Sequence, residues 1–233
     1  MVYKKRFDGR KPEETREIKC AVGVIPNADG SAMFSFGNTK AIAAVYGPKK
    51  MHPRHKLNPE KAVLRCTYDM ISFSVDERKR PGTNRRSSEI SMVVQKALEP
   101  VIFLESFPNT VIDVEISIIE ADASTRCAAI NAASMALAHA GIPMRDMVAS
   151  ISTGCIGGTV VADLTKEEED YEEDGKKLAT DIPIAYLLRS GKVSLLQADG
   201  RVGIEDLKKA IALGYDVCLK VGEEQKKALK IQK

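Results

Sequence analysis

One stretch of small residues, positions 119–146, constrains this chain more than any other: IEADASTRCAAINAASMALAHAGIPMRD. It predicts the end of a strand, a short polar turn and then a helix. Seven alanines between positions 128 and 140 leave little bulk on any face of that helix. Gly141, with Pro143 close behind it, predicts where the helix ends. We therefore expect a helix that neighbouring elements can bury on all sides.

The start of this helix carries an unusual charge. Asp122, Ser124 and Thr125 each have a side-chain oxygen that can cap the first free amides. Arg126 falls in the first turn, where the helix dipole disfavours a cation. An anion held between the guanidinium group and the amides would remove this conflict, and phosphate commonly binds at helix N-termini. The alternative is a plain cap beside a surface arginine.

Length and composition set broad limits. A chain of 233 residues with 44% hydrophobic and 29% charged residues is typical of a globular protein, and a net charge of +3 does not by itself indicate a nucleic-acid partner. We expect one domain covering residues 1–233, with two tightly fused halves as the alternative. Residues 1–16 are polar and are expected on the surface. They do not resemble a signal peptide, and no apolar run could span a bilayer, so we expect a cytoplasmic protein with no membrane partner.

The five cysteines are scattered, odd in number and without C-x-x-C spacing. This pattern argues against a zinc site and against a disulfide framework. We expect most of them to be small core residues. The chain has no tryptophan and only 5% aromatic residues, which argues against base stacking on an aromatic platform as the main binding mode.

The order of predicted elements indicates an α+β fold. A meander of three strands is followed by a basic loop, a strand, a helix starting near Ser87 or Ser88, and an apolar helix over residues 101–107. A strand at 111–119 leads into the alanine-rich helix, and four strands and a helix from about 204 to 230 follow. Strand clusters separated by helices favour mixed sheets packed against helices.

Two segments concentrate positive charge. The first lies in the loop after the third strand: Lys49, Lys50, His52, Arg54, His55, Lys56 and Lys61. The second surrounds a Pro-Gly turn: Arg78, Lys79, Arg80, Arg85 and Arg86. Arg85 and Arg86 are predicted just before a helix N-terminus, and an arginine can pair with a phosphate through two donors. Both segments suit a polyanion; the alternative is a solvated loop.

A strongly acidic run, residues 167–174, precedes Asp181, which opens the apolar strand IPIAYLL. Carboxylates at such a place supply acid–base chemistry or hold a divalent ion. The alternative for the run is a solvated loop. Taken with the phosphate and polyanion sites, the carboxylates predict cleavage of a nucleic-acid backbone by inorganic phosphate.

Several motifs occur in the order found in the ribonuclease PH family: FDGR, ADGSAMFSFGNTK, MHPRH, ERKRPG, ADASTR and LLQADG. The chain resembles this family over nearly its whole length, and most closely the members that form the ring of the archaeal RNA exosome. The resemblance implies a β-α-β-α fold and the role of the ring's catalytic subunit, a phosphate-dependent 3′→5′ exoribonuclease acting on single-stranded RNA, reversible as tail synthesis. It implies inorganic phosphate as co-substrate, Mg²⁺ as cofactor, and no role for DNA.

The implied partners are a homologous inactive ring subunit, alternating in a trimer of heterodimers, and a cap of RNA-binding subunits. The resemblance assigns Arg85 and Arg86 to RNA binding and Arg54 to the narrow ring entrance. It assigns Thr125 and Arg126 to phosphate binding, and we include the adjoining Ser124 in the predicted phosphate site. The family usually has glycine where this chain has Ser124.

Asp181 matches the second of the family's two catalytic aspartates and is a candidate Mg²⁺ ligand. The first is ambiguous, because the acidic run is longer here. Asp170 keeps the distance from the preceding strand, and Asp174 keeps nearly the family spacing to Asp181. We favour Asp174, with Asp170 as the alternative.

Two other functions are compatible with the sequence. The longer acidic run suits a non-catalytic ring subunit that binds RNA and supports its partner. A small-molecule kinase is a weaker alternative, because the chain lacks a Walker-type glycine-rich loop.

Overall fold

The structure, a computed structural model, describes residues 6–173 and 176–230, with no side-chain description for residues 173 and 176. The strands are β1 Ile18–Val22, β2 Gly30–Phe36, β3 Thr39–Lys50, β4 Val63–Met70, β5 Thr110–Glu120, β6 Val148–Ile156, β7 Thr159–Ala162, β8 Glu172–Glu173, β9 Lys176–Lys177, β10 Ala179–Leu187 and β11 Val193–Leu196. The helices are α1 Arg85–Leu98, α2 Thr125–His139, α3 Lys166–Glu169 and α4 Ile204–Lys230, with 3₁₀ turns at Arg54–Lys56, Glu99–Val101 and Leu104–Ser106.

Two larger sheets form the framework. The first has the order β1-β2-β3-β5-β4 and is mixed, because β4 pairs with β5 in parallel and the other pairs are antiparallel. The second has the order β11-β10-β6-β7 and is antiparallel. Helix α2 packs against β2 and β3 of the first sheet and β6 of the second, while α4 covers β6 and reaches β1. The α+β architecture expected from the sequence is confirmed.

Helix α2 is the centre of this arrangement. Every residue from position 127 to position 137 is buried, as the run of small side chains predicts. The approach is closest at Gly30, where a Cβ atom would lie 2.5 Å from the Ala136 carbonyl oxygen and 2.4 Å from the Ala140 nitrogen. The helix ends at His139 with Ala140 as its C-cap, and Gly141 follows with φ of +71°. The predicted buried helix and its glycine stop are confirmed.

Helix α1 begins earlier than the sequence pattern predicted. Asn84 is the N-cap: its side chain accepts a hydrogen bond from the Ser87 amide at 2.8 Å, and the Ser87 hydroxyl accepts one from the Asn84 amide at 2.8 Å. This capping box fixes the helix start at Arg85. Arg85 and Arg86 therefore belong to the first helical turn and do not precede it.

The helix expected over residues 101–107 is absent. Two 3₁₀ turns occupy this segment, and Ile102 between them is extended and forms a bridge with Met144. The Phe103 amide donates to the Pro143 carbonyl oxygen at 3.1 Å. Because the segment after α2 satisfies these backbone groups, residues 102 and 103 adopt strand-like pairing.

The N-terminal segment is more buried than its polarity suggested. Arg6 is only 3% exposed and forms a two-point ion pair with fully buried Glu168, with its Nε 2.8 Å from Oε1 and its Nη2 2.7 Å from Oε2. It also donates to the carbonyl oxygens of Ala162 and Asp163, each at 2.8 Å. Pairing and hydrogen bonding compensate for the burial of these charges. The acidic run is therefore not simply a solvated loop, because its first part is anchored on the N-terminal segment.

The hydrophobic core runs without interruption from the first sheet through α2 to the second sheet and α4, and includes Phe34, Ile130, Ile184 and Val221. Four of the five cysteines are buried, as expected. Burial raises the pKa of the Cys127 thiol to about 12, which keeps it protonated. Among residues 6–173 and 176–230, no helix combines the length and apolarity needed to span a membrane.

Candidate active site

A pocket of about 320 Å³ lies where the first turns of α1 and α2 meet α3 and strands β6 and β10. Among the described residues, four basic and two acidic side chains line this pocket, and most of the other lining side chains are small or apolar. Its lining residues are Met70, Val75, Lys79, Arg86, Ala121, Ala123, Ser124, Thr125, Arg126, Cys127, Ser152, Lys166, Glu169, Asp181 and Pro183.

The N-terminus of α2 forms one wall. Ser124 is the N-cap, but its side chain makes no hydrogen bond to the helix amides, so the expected side-chain cap is wrong for this residue. Its hydroxyl instead lies 3.3 Å from Asp163 Oδ1 and 3.4 Å from the Leu164 carbonyl oxygen. The end of the helix that faces the pocket therefore has no side-chain cap from Ser124, which favours binding of an anion there.

Arg126 reaches across this wall. Its Nη1 donates to Gln197 Oε1 at 2.7 Å, and its Nη2 lies 3.7 Å from Glu89 Oε1 on α1. Its Nε is buried and has no hydrogen-bond partner in the structure. Because a buried donor is costly when it is unsatisfied, this nitrogen suits a bound anion.

A second unsatisfied group lies close by. Tyr68 on β4 is 1% exposed, and its hydroxyl faces Thr125 without a hydrogen bond of ordinary length and angle. Burial raises the pKa of this phenol. The sequence analysis missed Tyr68, because a tyrosine in an apolar strand gives no signal that its hydroxyl lacks a partner.

Asp181, on β10, supplies one carboxylate of the pocket. It is largely buried and accepts a hydrogen bond from the Ser152 hydroxyl. Burial raises the pKa of Asp181, and the neighbouring charge of Glu169 acts in the same direction. The Ser152 hydrogen bond and Arg126 oppose this shift. A raised pKa helps a carboxyl group to keep a proton that it can donate.

Glu169, at the end of α3, supplies the other carboxylate and was not predicted. Asp170 is the C-cap of α3; it is exposed and lies 2.9 Å from Lys166 Nζ, and it does not line the pocket. Asp174 lies outside the described residues. The sequence T-K-E-E, in which Thr165 and Glu168 form a capping box, could have predicted this helical turn.

Only one of the three arginines predicted to bind RNA lines the pocket. Arg86 lines the pocket together with Lys79, whereas Arg85 and Arg54 are exposed and do not line it. Arg54 lies in a 3₁₀ turn within the long basic loop. Lys166 is a further cation of the pocket that the sequence analysis missed.

Within the described part of the chain, no group of three or more histidine, cysteine, aspartate or glutamate side chains could hold a metal ion alone. Mg²⁺, however, is usually bound through one or two carboxylates together with water and substrate phosphates. Asp181 and Glu169 provide such a pair. The residues present therefore fit a Mg²⁺ ion that is shared with a phosphate substrate.

The charge of the pocket defines its ligand class. Among the residues that the structure describes, four cations, from Lys79, Arg86, Arg126 and Lys166, face two carboxylates. An excess of positive charge around an uncapped helix end suits phosphate groups, and carboxylates among them suit proton transfer or metal binding. The arrangement therefore suits the binding and transfer of a phosphoryl group.

Comparison with known proteins identifies the family. Residues 14–143 match the 3′ exoribonuclease family, domain 1, and residues 146–217 match domain 2 of the same family. The chain belongs to this family, the ribonuclease PH family, as its motifs predicted.

Its relatives point to one branch of the family. The chain is 50% identical over 225 residues to the exosome complex component Rrp41 of Methanopyrus kandleri, covering 97% of this chain and 92% of the relative. It is also 50% identical over 226 residues to the Rrp41 component of Pyrococcus furiosus, covering 97% and 88%.

Solved structures confirm the ribonuclease PH-type fold. The crystal structure of rice Rrp46 superposes with a TM-score of 0.85 at 26% identity, covering 97% of this chain and 100% of that one. The structure of the Archaeoglobus fulgidus exosome with RNA bound to the active site matches with a TM-score of 0.79 at 19% identity, covering 94% and 92%. This second match is a likeness of fold.

Proposed function

We propose that this chain is the catalytic subunit of an exosome ring, which shortens single-stranded RNA from its 3′ end with inorganic phosphate as the attacking group. The observation that carries the proposal is that the N-terminus of α2, Arg126 and the buried Asp181 face one pocket. The relatives of this chain that are named Rrp41 support the same role.

In this proposal the α2 end of the pocket holds inorganic phosphate. The Arg126 Nε, which is buried without a partner, donates to one phosphate oxygen. The Thr125 hydroxyl and the first amides of α2 donate to others, and Ser124 forms the adjoining wall. The guanidinium group is held in place by Gln197, so the anion meets a positioned donor.

The opposite side of the pocket holds the last phosphodiester of the RNA. Arg86 and Lys79 neutralise its charge, which otherwise repels the attacking phosphate. Arg85 and Arg54 are exposed outside the pocket, and we assign them to RNA phosphates further from the cleaved bond. The positions of the four side chains support this division.

The reaction then proceeds as a displacement at phosphorus. An oxygen of inorganic phosphate forms a bond to the phosphorus of the last phosphodiester, and the bond from that phosphorus to the 3′ oxygen breaks. The shortened RNA takes a proton on its 3′ oxygen, and a nucleoside 5′-diphosphate leaves. Asp181, whose pKa is raised by burial, donates that proton. The reverse reaction adds nucleotides from nucleoside diphosphates.

Glu169 is our assignment for the second carboxylate in place of Asp170, while Asp174, which the sequence favoured, lies outside the described residues and stays a prediction. Its side chain lines the pocket, whereas the carboxylate of Asp170 pairs with Lys166 at the surface. Glu169 would hold Mg²⁺ together with the substrate phosphates, and the ion when bound would neutralise charge on them, whereas Asp181 keeps the proton that it donates.

The partners follow from the same assignment. We propose a homologous, inactive ring subunit that alternates with this chain in a trimer of heterodimers, and a cap of RNA-binding subunits. The cytoplasmic location and the single domain over residues 1–233 stay predictions. The continuous core between the two sheets supports the single domain.

The experiment is product analysis with the assembled ring and single-stranded RNA. Nucleoside diphosphates should appear only when phosphate is added, and Asp181→Asn should reduce their release at least 100-fold. Asp216→Asn is the matched control, because Asp216 is exposed on α4 and away from the pocket. Release of nucleoside monophosphates without phosphate would refute the chemistry. Full activity of Asp181→Asn would favour the non-catalytic scaffold instead.

A further inference from the structure

We propose that Arg16, Asp163 and Thr39 form a brace that holds the turn before α2 in the shape needed to bind phosphate, and that they act as positioning residues for the reaction. This inference rests on the proposed function. It concerns residues that lie behind the pocket and do not line it.

The turn that leads into α2 adopts a strained conformation. Ala123 has φ of +55° and Ser124 has φ of +53°, so two consecutive residues with a Cβ atom lie in the left-handed region. This region is disfavoured for every residue except glycine, because the Cβ atom approaches the following carbonyl oxygen. Such backbone persists only where surrounding contacts enforce it.

Asp163 supplies the central contact. It is fully buried and is itself in the left-handed region, with φ of +54°. Arg16 binds its carboxylate at two points, with Nε 2.9 Å from Oδ2 and Nη2 2.7 Å from Oδ1, and the Arg16 amide adds a bond of 2.8 Å to Oδ2. The Ser124 hydroxyl donates to Oδ1 at 3.3 Å. One carboxylate thus joins the N-terminal segment to the N-cap of α2.

The carbonyl groups of the turn are held by the same residues. Arg16 Nη1 donates to the Asp122 carbonyl oxygen at 2.5 Å. Thr39 Oγ1 lies 2.8 Å from that oxygen and 2.7 Å from the Ala123 carbonyl oxygen. It also accepts a hydrogen bond from the Asp122 amide at 2.9 Å. The orientation of the peptides before Ser124 is therefore set from behind the pocket.

The brace is also connected to the proposed general acid. The Asp163 amide donates to the Ser152 carbonyl oxygen at 2.7 Å, and the Ser152 hydroxyl donates to Asp181. Arg10 gives the Asp163 carboxylate a further contact at 3.3 Å. Ser152 of β6 thus contacts both Asp163 of the brace and Asp181. These contacts fix the position of the phosphate-binding turn relative to Asp181.

A matched control exists elsewhere in the chain. Arg65 binds Asp113 in the same two-point manner, with Nε 2.6 Å from Oδ1 and Nη2 2.8 Å from Oδ2. This pair joins β4 to β5, and neither residue lines the pocket. Arg65→Lys and Arg16→Lys therefore make the same chemical change in two different places.

The test compares these variants in the full chain, assembled with its ring partner. Initial rates are measured against phosphate concentration at saturating RNA, and RNA affinity is measured without phosphate. We expect Arg16→Lys to raise the KM for phosphate at least 10-fold, with RNA affinity unchanged, and Arg65→Lys to change that KM less than twofold. Thr39→Val, which keeps the side-chain shape, should raise the KM for phosphate at least threefold. This variant tests the brace if Arg16→Lys does not fold.

A second readout separates positioning from general stability. Ala123→Gly relieves the strain of the turn, so in the Arg16→Lys background it should recover part of the lost phosphate affinity. Phosphate KM values that stay at the wild-type level in folded Arg16→Lys and Thr39→Val would overturn the brace while leaving the proposed function intact. A wild-type ring that releases no nucleoside diphosphate with phosphate would instead refute the proposed function.

Discussion

Arg126 is the residue whose replacement tests the phosphate site most specifically. It lies at the second position of α2, with Nη1 on Gln197 and with Nε buried and unpartnered. A bound phosphate can take Nε and one further guanidinium donor. Arg126→Ala removes both contacts and leaves the remaining walls of the pocket in place.

The size of the effect follows from these contacts. A hydrogen bond to a charged group contributes about 1.5–3 kcal/mol. Two such bonds, discounted because the side chain is 22% exposed, give about 2–4 kcal/mol. At about 1.4 kcal/mol per factor of ten, the KM for phosphate should rise roughly 30- to 700-fold. Stability should change by less than about 1 kcal/mol, because the lost bond to Gln197 is offset by removing a cation from a helix N-terminus.

The assay is the initial rate of nucleoside diphosphate release against phosphate concentration, at saturating RNA. RNA affinity without phosphate should fall less than threefold, because Arg126 is assigned to the attacking phosphate and not to the RNA. Arg145→Ala is a suitable control, since Arg145 packs over Phe103 with its guanidinium carbon 4.4 Å from the ring centre and does not line the pocket. A phosphate KM within threefold of wild type would refute the assignment.

Three further changes have defined outcomes. Asp181→Asn should stabilise the fold at neutral pH. The pKa of Asp181 is higher in the folded protein than in the unfolded chain, so the free energy of unfolding falls as the pH rises between these two pKa values. Urea unfolding at several pH values should show this pH dependence in the wild type and its loss in the variant. Tyr68→Phe removes a buried hydroxyl that has no partner, and should leave the free energy of unfolding unchanged or raise it by about 1 kcal/mol; a loss above about 1 kcal/mol would contradict this reading. Arg6→Ala removes the two-point ion pair with the buried Glu168 carboxylate and should cost about 3–5 kcal/mol in a urea titration; a cost below about 1 kcal/mol would show that Glu168 does not depend on Arg6.

Features that depend on neighbouring residues were predicted well from the sequence. The small side chains of α2 and its stop at Gly141 are local signals, and both appear in the structure. The start of α1 was misplaced by two or three residues, because the pattern of apolar residues was read without the Asn84–Ser87 capping box.

The rest of the site depends on contacts between distant positions. Arg6 and Glu168 are 162 residues apart in the chain, and Arg16 and Asp163 are 147 apart. No periodicity or spacing predicts such pairs. Glu169 was missed for a related reason, because it directly follows Glu168 in α3, and Glu168 is anchored on the distant Arg6.

The central claim is that inorganic phosphate attacks the RNA. The most direct measurement uses phosphate labelled with ³²P, given to the assembled ring with unlabelled single-stranded RNA. We predict that the label appears in the terminal phosphate of the released nucleoside diphosphates, and that Arg126→Ala abolishes its incorporation at low phosphate concentration. Nucleoside monophosphates without label, carrying oxygen from isotopically labelled water, would contradict the account.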